Sequence, residues 1–267
     1  MSYLHIKNLW KEFDDQIVLE QLNLTVEKGE FVTIVGASGC GKTTFLKMLL
    51  GTETPSRGSI LLDQHPIPAE PNEERGIVFQ RYSVFPHLTV LQNVLLAKEL
   101  ESSPILAKLF GSAKRKALTE ARQMIAAVGL EPATDKYPHE LSGGMQQRLA
   151  LAQSLIKKPR ILLLDEPFGA LDPGIRADMH KLVLTLWREH QLTIFMITHD
   201  IKEGFSLGTR LLVFDKDRYD PQAPNAFGAQ ITYDLPVGEI NPQHYNEIDK
   251  TLVHANKNVA QTLAKEH

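Results

Sequence analysis

The sequence predicts an α/β fold, a core of parallel strands into which a helical lobe is inserted. Three observations predict it. Residues 31–35 form a short apolar run, Gly36 opens a glycine-rich loop, and residues 43–50 have helical character up to a stop at Gly51. Strand and helix patterns alternate again at residues 161–165, 173–190, 193–198 and 211–215, which is the mark of parallel strands joined by helices. Between these blocks, from residue 88 to 159, helical periodicity dominates and is broken by Pro104, Gly111, Pro132 and Pro138.

The elements follow in order. Leu22, Leu24 and Val26 alternate with polar residues, and Lys28-Gly29 then turns the chain. Residues 59–63 and 77–79 read as further strands. In the lobe, Ala117, Ala121, Ile125 and Val128 recur on one face of a helix. The run Lys114-Arg115-Lys116 is expected as a solvated helix start, with phosphate or lipid contact as the alternative. Pro173 suits the first turn of a helix running to His190. A strand is expected at residues 229–235, and Asn241-Pro242 is expected to start helices that run to the C-terminus. The expected organisation is one domain over residues 1–267. Its catalytic core takes residues 1–85 and 160–215, the helical lobe residues 86–159, and a C-terminal extension residues 216–267.

Composition narrows the class of function. The chain has 267 residues, 43% hydrophobic and 23% charged, with a net charge of −3. That is enough chain for a full core and an appended lobe, and it gives no bulk attraction to nucleic acid or anionic lipid. No run approaches the ~20 apolar residues of a membrane span. The N-terminal segment lacks the apolar core of a signal peptide. The single Cys40 leaves no internal disulfide and fits a reducing compartment. Any membrane role is therefore expected to run through a separate spanning partner.

The chemistry is concentrated in three segments. Residues 36–43 read GASGCGKT, the glycine-rich phosphate loop, in the strand–loop–helix context it requires. Backbone N–H groups over Gly36, Ala37, Ser38, Gly39, Cys40, Gly41, Lys42, Thr43 and Thr44 suit phosphate oxygens at a helix N-terminus. Lys42 is expected on the β- and γ-phosphates and the Thr43 hydroxyl on Mg²⁺. Cys40 reads as a small filler. Residues 161–167 read ILLLDEP, an apolar strand that delivers two acids to its C-terminal edge. There Asp165 suits the Mg²⁺-organising carboxylate and Glu166 the group that polarises the attacking water. Residues 141–148 read LSGGMQQR.

With the third segment the chain resembles the ATP-binding subunits of ABC transporters, over about residues 3–215. The resemblance implies a P-loop NTPase core of the ABC ATPase type, with the inserted α-helical lobe and an antiparallel β subdomain. Alone, Gln80 would be a polar loop residue, His199 a strand-end histidine and Phe13 a core aromatic. The resemblance gives them roles. Gln80 matches the glutamine that contacts Mg²⁺ and the water, and His199 the switch histidine. Ser142, Gly143 and Gly144 match the signature that binds γ-phosphate across a dimer interface. Asp172 matches the D-loop, and Phe13 lies where an aromatic stacks on adenine. The implied activity is ATP hydrolysis with ATP and Mg²⁺, in a homodimer at the cytoplasmic face of the cell membrane. The implied partners are a transmembrane permease, docked near residues 80–94, and a solute-binding protein, with no nucleic acid.

Residues 80–94 and 141–172 resemble the nitrate, sulfonate and taurine importer group, which implies import of a small nitrogen- or sulfur-containing solute. Residues 225–235 are similar to members associated with urea- or amidine-type compounds. Two other classes share the motifs. Exporter or lipid-transport ATPases are one. ABC-type ATPases acting on nucleic acid or ribosomes are the other, although the stretch from Lys42 to Leu141 shows no sustained heptads for an inserted coiled coil.

Overall fold

The computed structural model describes residues 3–79, 84–102, 109–218, 222–223, 225–237 and 248. It divides into two compact units, one of residues 1–71 and 193–267 and one of residues 72–192.

The first unit holds two sheets. The antiparallel one is made by β1 (Leu4–Phe13), β2 (Gln16–Val26), β4 (Arg57–Leu62) and β5 (His65–Pro66), in the order β2-β1-β4-β5. The other is built on β3 (Phe31–Gly36), which pairs in parallel with β8 (Thr193–Ile197) on one side and β9 (Arg210–Asp215) on the other. Beyond β9 lies the antiparallel β10 (Gln230–Pro236). Every residue of β3 and β8 is buried, as expected of parallel strands covered on both faces. Helix α1 (Lys42–Leu50) packs on β3 and β8. Its Phe45 meets Phe214 and Phe195 edge-on, with ring centroids 5.3 and 6.3 Å apart. Gly51 ends α1 in the left-handed conformation, its N–H bonded to the Lys47 and Met48 carbonyls.

Helix α6 (Ile201–Leu207) lies against β3 and β9. The C-terminal extension is tied back onto β2: the Glu20 carboxylate accepts from Arg218 and from the Gly228 N–H. Ile248 is fully buried beside Val35, Ile201, Leu211 and Val213. The helices expected from Asn241 onward otherwise lie outside the described residues.

The second unit holds the parallel pair β6 (Arg75–Val78) and β7 (Ile161–Asp165), with helices α2 (Val90–Ser102), α3 (Gly111–Ala127), α4 (Gly143–Leu155) and α5 (Pro173–His190). Helix α3 buries Ala117, Ala121 and Ile125 on the expected face and exposes Lys114, Arg115 and Lys116. Gly111 starts this helix, at φ +58°, where the sequence pattern suggested a break. The division between units falls at residues 71/72 and 192/193, outside the lobe boundaries 86 and 159. The reason is that β6 and β7 pair, and α4 packs on β6 with Ser154 Oγ donating to the Ile77 carbonyl at 2.7 Å. Among the described residues no helix is long and apolar enough to cross a membrane.

Candidate functional site

The phosphate loop leaves the C-terminal end of β3 through a gap that admits no side chain. A Cβ on Gly36 would sit 2.3 Å from the Phe214 carbonyl oxygen of β9. The loop then needs left-handed backbone at Gly41, φ +95°, where a Cβ would also come within 2.8 Å of the Val18 and Leu19 side chains of β2. Gly41 is the N-cap of α1 and supplies no side-chain cap. The first-turn N–H groups therefore keep their partial positive charge for an anion.

Lys42 is only 7% exposed. Its Nζ donates to the Gly36 carbonyl at 2.8 Å and the Ala37 carbonyl at 2.7 Å, so the ammonium lies inside the curve of the loop. Cys40 is buried, with Sγ 3.7 Å from that ammonium. Burial raises its thiol pKa, and the Asp215 carboxylate adds to the rise against the opposing pull of Lys42. A buried, protonated thiol fits the filler reading.

His199 belongs to the same unit and the same sheet edge. Ile197 of β8 pairs with Ile34 of β3, and Thr198 N–H donates to the Ile34 carbonyl at 3.1 Å. The exposed His199 thus follows β8 just as the phosphate loop follows the neighbouring β3, at the carboxyl edge where α/β ligands bind. Phe13 ends β1 at the hairpin into β2, 41% exposed, with Lys11 Nζ 4.4 Å from its ring centroid. An aromatic this open is no core residue. The adjoining β2 is the strand whose Val18 and Leu19 touch the loop at Gly41.

The second unit carries the acids. Ile161, Leu162, Leu163 and Leu164 are buried, and Asp165 and Glu166 emerge half-buried at the end of β7. Glu166 adopts φ +47°, uncommon for a residue with a side chain, so the chain turns sharply there. Buried Phe168 anchors this turn, its ring edge-on to His180 of α5 at 4.9 Å. Asp172 is the N-cap of α5, with Pro173 at its first position.

Ser142 caps α4, its Oγ accepting from Met145 N–H at 3.3 Å. A Cβ on Gly144 would sit 2.4 Å from Ile175 Cγ2 of α5, and one on Gly143 would sit 4.0 Å from Leu171 Cδ2. Ser142, Gly143 and Gly144 are therefore neighbours of the turn that carries Asp172. Gln80 lies outside the described residues.

Four further residues contribute that belong to none of the sequence motifs. Asn93 is fully buried and holds residues 85–89. It accepts from Phe85 N–H at 2.8 Å and donates to the carbonyls of Phe85, Leu88 and Thr89. Val18 and Leu19 back the phosphate loop. Glu203 is buried next to the His199 turn. Only Glu203 had a visible signal, the Asp200-Ile201-Lys202-Glu203 pattern of a helix start.

The ABC transporter family profile matches residues 19–169. The nitrate import ATP-binding protein NrtD of Synechocystis sp. is 39% identical over 228 residues, 85% of this chain and 80% of that protein. The spermidine/putrescine import ATP-binding protein PotA of Nitrosomonas eutropha is 41% identical over 80% of this chain, which spans 57% of PotA's length. Among solved structures, the dimeric bacterial ABC transporter cassette MJ0796 superposes with a TM-score of 0.70 at 27% identity, covering 88% of this chain and 98% of that one. The fold is thus the ABC ATPase cassette, and the chain belongs to the ABC transporter family as an ATP-binding, ATP-hydrolysing subunit.

Proposed function

We propose that this chain is the ATPase subunit of an ABC importer, acting as a pair of copies beneath a transmembrane permease at the cytoplasmic face of the membrane. The observation that carries the reading is the likeness, over most of the chain, to proteins named for nitrate and polyamine import. Their cargoes differ widely, so the cassette supplies the power stroke, and the permease and a solute-binding protein choose the solute. A small nitrogen- or sulfur-containing compound is the solute class put forward here. Residues 1–267 are read as one ABC ATPase domain.

In the proposed mechanism the first-turn N–H groups of α1 and Lys42 bind the β- and γ-phosphates. The curled Lys42 ammonium exchanges its loop carbonyls for phosphate oxygens. Phe13 stacks on adenine. Thr43, Asp165 and Gln80 offer hydroxyl, carboxylate and amide oxygens, the hard donors that suit Mg²⁺. Mg²⁺ held by these oxygens would neutralise negative charge on the phosphates. Glu166 takes the proton of the attacking water, and Gln80 and His199 orient it against the γ-phosphate. Ser142, Gly143 and Gly144, at the N-terminus of α4, meet the γ-phosphate held by the second copy, with Asp172 beside them. The permease docks on residues 80–94. There Phe85 is 40% exposed, Val84 and Leu88 are half-buried, and Tyr82 lies outside the described residues.

Because the signature acts on the other copy's nucleotide, ATPase rate per chain should rise with protein concentration and rise again on assembly with the permease. A high rate per chain, constant under verified monomer conditions, contradicts the proposal.

A further inference from the structure

We propose that Glu203 is a positioning residue for His199, acting through the Thr198 hydroxyl. The proposal rests on the reading of His199 as the group that faces the γ-phosphate.

Thr198 Oγ1 donates to Glu203 Oε2 at 2.5 Å. The same oxygen accepts from Asp200 N–H at 3.1 Å. One hydroxyl thus holds the backbone on both sides of His199, through the residue before it and the N–H after it. Asp200 closes the ring, since its Oδ1 accepts from Lys202 N–H at 2.9 Å and Glu203 N–H at 3.3 Å. His199 is the exposed residue of this turn, while Thr198 is 2% and Glu203 6% exposed.

The anchor is itself referenced to the phosphate loop. Thr33 of β3 donates to the Gly204 carbonyl at 3.1 Å, and a Cβ on Gly204 would sit 3.5 Å from Thr33 Oγ1 and 3.6 Å from Val35 Cγ1, so α6 packs closely on β3. Three residues further on, β3 becomes the phosphate loop. Glu203 therefore fixes His199 relative to the strand that carries the nucleotide-binding loop.

Asp200 already caps α6, and Ile201, Gly204 and Leu207 already bury it. A buried carboxylate is costly to desolvate, and an apolar side chain would pack at lower cost. What an apolar side chain cannot do is accept the Thr198 proton.

The test uses the full chain, with steady-state Mg·ATP hydrolysis, equilibrium ATP binding and thermal melting. Thr198→Val and Glu203→Leu remove the link, whereas Thr198→Ser and Glu203→Gln keep a donor and an acceptor. The expected result is a fall in kcat of about 10- to 100-fold for the first pair, the scale of a misplaced catalytic group. KM and ATP affinity should stay near the parent's, and the second pair should recover most of the rate. On a His199→Ala background, Thr198→Val should cost nothing more.

Equal changes in kcat and KM, no rescue by the conservative pair, or a full further loss on top of His199→Ala each overturn the proposal. If Glu203→Leu does not fold, Thr198→Val carries the test. A slow His199→Ala beside a fast Thr198→Val removes the Glu203 link alone. A His199→Ala that hydrolyses like the parent removes both the His199 reading and the link.

Discussion

Replacing Gly144 by alanine tests whether the signature turn and the Asp172 turn form one packed body. The new methyl would sit 2.4 Å from Ile175 Cγ2, where carbon atoms pack at about 3.5–4.0 Å. A displacement of about 1 Å is therefore required. Ile175 cannot simply swing away, because a β-branched side chain in a helix has one strongly preferred rotamer. Overpacking of this kind costs about 1–3 kcal/mol, partly offset by the roughly 1 kcal/mol that alanine gains over glycine in a helix. A net loss of about 0–2 kcal/mol corresponds to a fall in Tm of up to roughly 8 °C for a chain of this size.

Ile175→Ala removes the clashing methyl. The double variant should then melt above the sum of the two single losses, with a coupling of about 1 kcal/mol. The assay is thermal melting by circular dichroism, with ATP binding and hydrolysis measured beside it. Hydrolysis should fall while binding by the phosphate loop persists. Additivity of the two substitutions within about 0.3 kcal/mol, or an ATP affinity that falls as far as hydrolysis, would show that the two turns do not act as one packed body.

Other outcomes follow from single residues. Lys42→Ala removes the buried ammonium and should weaken ATP binding by roughly 10- to 100-fold, the scale of charged hydrogen bonds, read by equilibrium titration. Alkylation of Cys40 should be slow at neutral pH and accelerate as pH rises above the ordinary thiol range, because the buried thiol holds its proton. By linkage, the stability from that protonated thiol is complete below the unfolded pKa and is lost as pH climbs toward the folded one. Once formed, an adduct should block ATP binding, since Sγ lies 3.0 Å from the Cβ position of Gly36, whereas Cys40→Ser should bind ATP almost normally; fast labelling at every pH contradicts this. Phe85→Glu should lower permease-stimulated hydrolysis and transport with ATP affinity unchanged, and parental transport by the assembled variant counts against the docking assignment.

Much of the fold could be read where one local rule was enough. The apolar run of β3, the glycine stop of α1 and the Pro173 start of α5 are such cases, and their ends fall within a residue or so of expectation. Strand β1 was hidden because its alternation is broken. Asn8 has φ +46°, and the pairing with β2 shifts register after Ile6, Leu9 and Lys11. Helix α6 has only seven residues, too few to show a period. The placement of β6 and β7 with the helices depends on parallel pairing between distant segments, which no local pattern encodes.

The site followed the same division. Glycines, Lys42 and the two acids stand out because their chemistry is tied to short motifs. The clash space at Gly144 is a product of packing between segments far apart in the chain, whereas the curl of Lys42 onto loop carbonyls and the Thr198–Glu203 link close within six residues through side-chain geometry that no motif encodes.

If this chain hydrolyses ATP through Glu166 within a pair of copies, Glu166→Gln should separate hydrolysis from ATP binding. The amide keeps the shape and removes the base, at the half-buried end of β7. Phosphate release should fall by a factor on the order of 10²–10⁴, the usual scale for a lost general base. ATP binding should persist, and size-exclusion chromatography in Mg·ATP should show the variant accumulating as a dimer. Phosphate release close to the parent rate would contradict the account and leave Glu166 as an acid that only ends a strand.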